Sequence, residues 1–162
     1  MFSKRNDVII DELKRQRKEA ISNLNNLCLI KNEELGEVFY SKFQTGEDVP
    51  FKLLMEMPEN EAIPLPVVHG GWIITTRKSM TNPNVVLYET KWSAGSTLTW
   101  HYHSDCNEKI VVKKGRIKVY SEGNVNVLVA GQTIEIFKGV GHQVTALEDT
   151  ELDIKFFKVN VQ

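Results

Sequence analysis

The sequence holds only two cysteines, Cys28 and Cys106, and that scarcity excludes a disulfide scaffold. In a reducing compartment both stand as free thiols. Nowhere do about 18 apolar residues run together, so no segment reads as a membrane-spanning helix. The opening residues Met1 to Asp7 carry no apolar leader core, and the expected setting is cytoplasmic. An excess of charge of one sign is also missing. Lys and Arg number 20 against 21 Asp and Glu, for a net charge of −1 and a pI near 6.4. That balance disfavours a nucleic-acid partner held by a general electrostatic field. The basic cluster Lys14, Arg15, Arg17 and Lys18 is interleaved with Asp7, Asp11, Glu12 and Glu19, which makes it a solvated helix face. No internal repeat and no low-complexity tract stands out.

What is present is enough chain, 162 residues, for one well-cored domain. From Asn6 to Lys31 the residues Ile10, Leu13, Ala20, Leu24 and Leu27 fall at or near helical spacing and predict a helix with a narrow apolar stripe. Such a stripe buries against its own domain or against the same helix of a second copy. Between Asn32 and Pro66 the pattern is mixed. Glu37 to Phe43 suggests a short strand, and Pro50, Pro58, Pro64 and Pro66 break any long element. Residues 1–66 are therefore read as a helix and connecting arm, with Ala62 to Pro66 an extended lead.

Residues 67–162 change character. Short β-branched and aromatic runs follow one another, separated by Gly, Asn and Asp turns. Predicted strands are Trp72–Thr76, Val85–Trp92, Thr97–Tyr102, Lys109–Val112, Arg116–Tyr120, Val125–Val129, Thr133–Phe137, Gln143–Leu147 and Leu152–Val159. Strands at this spacing with no helix between them predict an all-β core, an antiparallel sandwich or barrel forming one compact unit with the arm.

The chemistry concentrates between Gly95 and Gly115. Side chains two apart on a strand share a face, so His101 and His103 point inward together while Trp100 and Tyr102 point away. Glu108 opens the next strand after a turn at Ser104 to Asn107. His142 follows Gly139 and Gly141 at the head of a later strand. Imidazoles with one carboxylate suit Mn, Fe, Co, Ni or Zn. By the same alternation Thr97 and Thr99 face inward beside Ile110, Val112, Ile117, Val119, Val144 and Ala146, with Cys106 near Glu108. These outline a largely apolar pocket for a small organic molecule. Tyr88 is the best phenolic acid or base on an adjacent strand, and an aromatic filling the interior is its ordinary alternative. His69, before Gly70-Gly71-Trp72, is a turn residue. A second arrangement, the facial triad His103, Asp105 and His142, is chemically sound, but no arginine follows His142 to hold an oxoglutarate carboxylate.

Gly95, His101, His103, Glu108 and Gly115 match every fixed position of the first motif of the cupin superfamily: glycine, five residues, His-x-His, three or four residues, Glu, six residues, glycine. Gly131, Gly139 and His142 match part of its second motif, with Phe137 where proline is usual and Ala146 where asparagine is usual. The sequence thus resembles the cupins over roughly Val85 to Val159. The resemblance implies a jelly-roll β-barrel with an N-terminal helical extension, and one divalent ion on His101, His103, Glu108 and His142. It also implies a small-molecule ligand or substrate and a homodimer. Cupins include dioxygenases, lyases and isomerases as well as sensing domains, so two expectations stand. One is a small-molecule metalloenzyme; the other is a non-catalytic ligand- or metal-sensing module that signals through its N-terminal helix.

Overall fold

The structure, a computed structural model, describes residues 10–15, 34–38, 48–67 and 71–159. Ten strands carry the fold: β1 (Ala62–Pro66), β2 (Trp72–Lys78), β3 (Val85–Trp92), β4 (Thr97–His101), β5 (Cys106–Lys114), β6 (Arg116–Ser121), β7 (Asn124–Val129), β8 (Thr133–Ile136), β9 (His142–Ala146) and β10 (Thr150–Lys158). They form two sheets with every pairing antiparallel, one ordered β1-β2-β3-β10-β5-β8 and the other β4-β9-β6-β7. From β3 onward the chain passes back and forth between the sheets. That winding sets β4 and β9 of one sheet against β5 and β10 of the other. The nine strands predicted from residue 67 onward are all present, with ends shifted by a few residues.

Alternation along the strands fills the space between the sheets. β5 and β10 each bury every second residue over most of their length. Ile110, Val112, Ile117, Val119, Ala146 and Leu152 are all buried in one core. Glycine is required where β5 turns into β6. Gly115 has φ +88°, and a Cβ there would stand 2.3 Å from Thr150 Oγ1 and 2.5 Å from the Asp149 carbonyl oxygen. Gly131 has φ +91° with nothing within 4 Å. Gly131→Ala should cost about the 1–2 kcal/mol of a left-handed alanine. Gly115→Ala should cost clearly more, because the clash meets backbone. Urea unfolding of the two variants measures the gap.

The arm differs from its sequence reading in two places. Residues 34–38 are helical, so Glu37 and Val38 do not begin a strand; the rest of that predicted strand lies outside the described residues. The helix sits tight on the sheet, for a Cβ on Gly36 would come 2.0 Å from the Pro64 carbonyl oxygen. The lead Ala62–Pro66 is extended as expected, and it also pairs along its length with β2 as a sheet edge. Its prolines fit there because an edge strand spares half its amides from pairing. Of the predicted helix 6–31, residues 10–15 are helical and the remainder lies outside the described residues, as does His69. Among the described residues no helix is long and apolar enough to cross a membrane.

Candidate metal centre

His101 and His142 are direct partners across β4 and β9, with ring centroids 4.3 Å apart. His103 lies just past the end of β4, its ring 5.0 Å from that of His101 and 5.2 Å from that of His142. The three offer ligand nitrogens within 4.8 Å of one another, and all three residues are buried. Two donors at about 2.1 Å from one ion stand at most about 4.2 Å apart, so the cluster is nearly of coordinating size. Glu108, on the facing sheet, brings Oε2 to 2.8 Å from His142 Nε2 and 3.6 Å from His103 Nε2.

The hydrogen bonds behind the rings set their chemistry. His101 Nδ1 is 2.7 Å from the Thr99 carbonyl oxygen, His103 Nδ1 is 2.8 Å from that of Val49, and His142 Nδ1 is 3.0 Å from that of Val140. A carbonyl oxygen only accepts, so each Nδ1 donates and each neutral ring presents a bare Nε2 lone pair to the centre. Glu108 Oε2, His103 Nε2 and His142 Nε2 are buried and enter no aligned hydrogen bond. The 2.8 Å approach of Glu108 to His142 therefore sets one acceptor against another, which only a proton or a cation between them relieves.

The titration behaviour agrees with this crowding. Burial, then the neighbouring His142 and His103, push His101 down to about 3, which keeps its ring neutral. Burial works to raise Glu108, but His142 and His103 outweigh it and hold the carboxyl well below its ordinary range. Burial likewise lowers His142, while Glu108 more than restores it, so the net direction is up. In the absence of an ion the buried charge is shared between Glu108 and His142. A cation on the three imidazoles would relieve this crowding, and His101, His103 and His142 lie close enough together to hold one, with Glu108 outside that group.

A cavity of about 40 Å³ opens beside the cluster. That is room for about three waters, since each requires roughly 10–15 Å³. Ile73, Trp92, Leu98, Ile154 and Phe156 make most of its wall, and Val49, Leu54 and Leu65 close it from the arm and β1. Sequence reasoning missed these three because they lie outside the motif-bearing half of the chain. Proximity of Val49 to His103 has no local signal in a sequence where the two stand 54 residues apart.

The residues expected around the pocket are placed differently. Thr97 and Thr99 do not line it, because two residues of β4, Thr99 and Trp100, oppose the single Gln143 of β9. This bulge breaks the two-residue alternation, so Leu98, three residues before His101, turns inward in place of the threonines. The Thr97 hydroxyl instead meets that of Thr145 at 2.9 Å. Cys106, Ile110, Val112, Val144 and Ala146 are buried in the core but do not reach the cavity. Cys106 is a free thiol that burial, with lesser help from Asp105 and Glu108, pushes up to about 12. Tyr88 does line the cavity, and its hydroxyl donates to the Leu54 carbonyl at 2.5 Å; burial raises its pKa above the phenol range. Asp105 turns away from the histidines and accepts the Phe51 amide at 2.9 Å, so the triad with His103 and His142 is not assembled.

His103 owes its aim to the arm. Asp48 accepts the Ser104 amide at 2.8 Å and its hydroxyl at 2.5 Å, and the Val49 amide donates to the Tyr102 carbonyl at 2.8 Å. These bonds fix the Val49 carbonyl that orients the ring. The sequence pattern carries β4 on to Tyr102 and aims His103 through its pleat; the strand ends at His101, and this bond takes the pleat's place.

No curated protein matches the sequence. Residues 88–158 match the family model described as the Cupin domain. Among solved structures, a predicted oxalate decarboxylase from Thermotoga maritima aligns with TM-score 0.56 and 15% identity, over 60% of this chain and 92% of that one. An RmlC-like cupin from Shewanella frigidimarina aligns with TM-score 0.52 and 19% identity, over 62% and 85%. KdgF from Halomonas sp. aligns with TM-score 0.50 and 23% identity, over 56% and 81%. At these identities the likeness is one of fold. Two antiparallel sheets wound in this order give the chain a cupin fold, and its segment from Tyr88 on β3 to the end of β10 is similar to the Cupin domain family.

Proposed function

We propose that this cupin holds one divalent transition-metal ion, from the set Fe, Mn, Ni, Co or Zn, on His101, His103, His142 and Glu108, and that it acts on a small molecule in the adjoining cavity. The observation that carries the proposal is the convergence of bare, buried acceptors whose rings are fixed from behind by backbone carbonyls. A bound ion would supply Lewis acidity or a redox centre, which suits dioxygenase, lyase or isomerase chemistry. The chain's own residues hold the ion, orient the guest against Phe156 and Trp92, and keep water out with the arm.

A second reading has its own support. Apart from the ligand set, the cavity wall offers Tyr88 as its one titratable group among the described residues, and that hydroxyl is committed to Leu54. The Val49 to His103 bond meanwhile ties the centre to the arm. Both features suit a sensing module that reports occupancy through its N-terminal segment. A cytoplasmic homodimer pairing through the half-exposed Trp100 and the N-terminal stripe belongs to the same proposal.

Purification without chelator, followed by elemental analysis and by dioxygen uptake with small acids, phenols and thiols, tests both. About one metal per chain with substrate-dependent uptake is the expected result for an oxygenase. Full occupancy without turnover, with a change of oligomeric state on metal removal, supports sensing. Absence of stoichiometric metal overturns the proposal.

A further inference from the structure

The cavity wall is apolar almost throughout, and most of its polar groups are already used. Tyr88 donates to Leu54, Trp92 Nε1 donates to Thr90 Oγ1 at 2.8 Å, and Thr90 Oγ1 donates to the Leu152 carbonyl at 3.0 Å. Thr75 is the exception. It lines the same cavity, is only 3% exposed, and its side chain makes no hydrogen bond with the described residues. Its position is built: β2 sets it opposite Ile63 of β1 and Thr90 of β3, on the buried face shared with Ile73. The Thr75 hydroxyl is not sealed off as Glu108 Oε2, His103 Nε2 and His142 Nε2 are, so a guest in the cavity can form a hydrogen bond with it.

Charge narrows the guest further. A divalent ion with one carboxylate and three neutral imidazoles leaves a single positive charge, because metal-bound histidine must be neutral. Among the described residues no Lys or Arg lines the cavity to match a second negative charge. In so apolar a space an unmatched charge is strongly disfavoured.

Resting on the metal reading above, we infer that the cavity takes a small monoanionic acid bearing one uncharged hydrogen-bonding group. The acid oxygen faces the ion, and Thr75 meets the neutral group. Thr75 is thereby a specificity-determining residue, separating hydroxy acids from alkyl acids of the same shape. Dicarboxylates of similar length are rejected on charge.

The test uses the full chain reconstituted with Co(II), with metal content measured first by elemental analysis. Cobalt visible absorption then follows titration with the ω-hydroxy acids of two and three carbons, the sizes nearest to the room that the cavity offers. Each is compared with the acid carrying methyl in place of hydroxyl, and with the dicarboxylate of matching length. At one chain length the hydroxy acid should bind about tenfold more tightly than its methyl counterpart. Thr75→Val should erase that preference with metal content unchanged, and Thr75→Ser should keep it. If cobalt binds but no hydroxy acid is preferred, or the preference survives Thr75→Val, the inference is overturned and the metal proposal stands. Dicarboxylates binding as well as the monoacids overturn it too. A protein that takes up no cobalt overturns both.

Discussion

His142→Ala is expected to abolish metal binding, with a fall in affinity beyond the roughly 10–100-fold that loss of an outer-shell partner costs. His142 is fully buried, directly opposite His101, and is the imidazole closest to the Glu108 carboxylate. Its removal also leaves that carboxylate buried, with His103 at 3.6 Å as its remaining imidazole neighbour. The metal-free variant should therefore lose on the order of 3 kcal/mol of stability. A double variant, His142→Ala with Glu108→Gln, separates the two effects. Removing the stranded charge should recover part of the stability and none of the metal binding. Calorimetric metal titration and urea unfolding of the wild type and both variants supply the comparison. Wild-type affinity in the single variant would remove His142 from the site.

Phe156→Ala is expected to give the largest loss of stability, about 3–5 kcal/mol. Phe156 is 3% exposed in the middle of the large sheet, where β10 pairs it with Val86 on one side and Glu108 on the other. Its ring meets those of Tyr88 and His103 edge-on at 5.5 and 5.0 Å. For a chain of this size the loss corresponds to a fall in Tm of roughly 6–20 °C. Metal affinity should fall far less than in His142→Ala, because the Val49 carbonyl still holds His103. Thermal unfolding monitored by circular dichroism, paired with a metal titration, reads both quantities. Phe156→Leu should recover much of the stability by refilling the space.

The strands were legible because their signal is local. β3 runs from Val85 to Trp92 in the structure as in the sequence pattern, and the glycines at 115, 123 and 131 mark turns whose positive φ the chain requires. His101 and His103 were legible because their spacing is written within one short segment, and His142 because two glycines precede it closely. The pocket was not legible. Counting back from His101 by twos points to Thr99 and Thr97, and one extra residue in the pairing of β4 with β9 reverses that count. Val49, Leu54 and Thr75 carried no mark of their own. They read as ordinary apolar and β-branched residues until β1, β2 and the arm close over the site.

By itself the sequence determined where strands begin and turn, which face of most strands is apolar, and which three histidines can gather at one point. Those properties belong to backbone geometry and side-chain type, which neighbours along the chain decide. Only the tertiary structure decided the cavity's wall, the aim of His103 and the place of Thr75 on that wall. Each depends on register and contact between segments tens of residues apart, and the free energy that selects one register is gained only when the sheets close on each other.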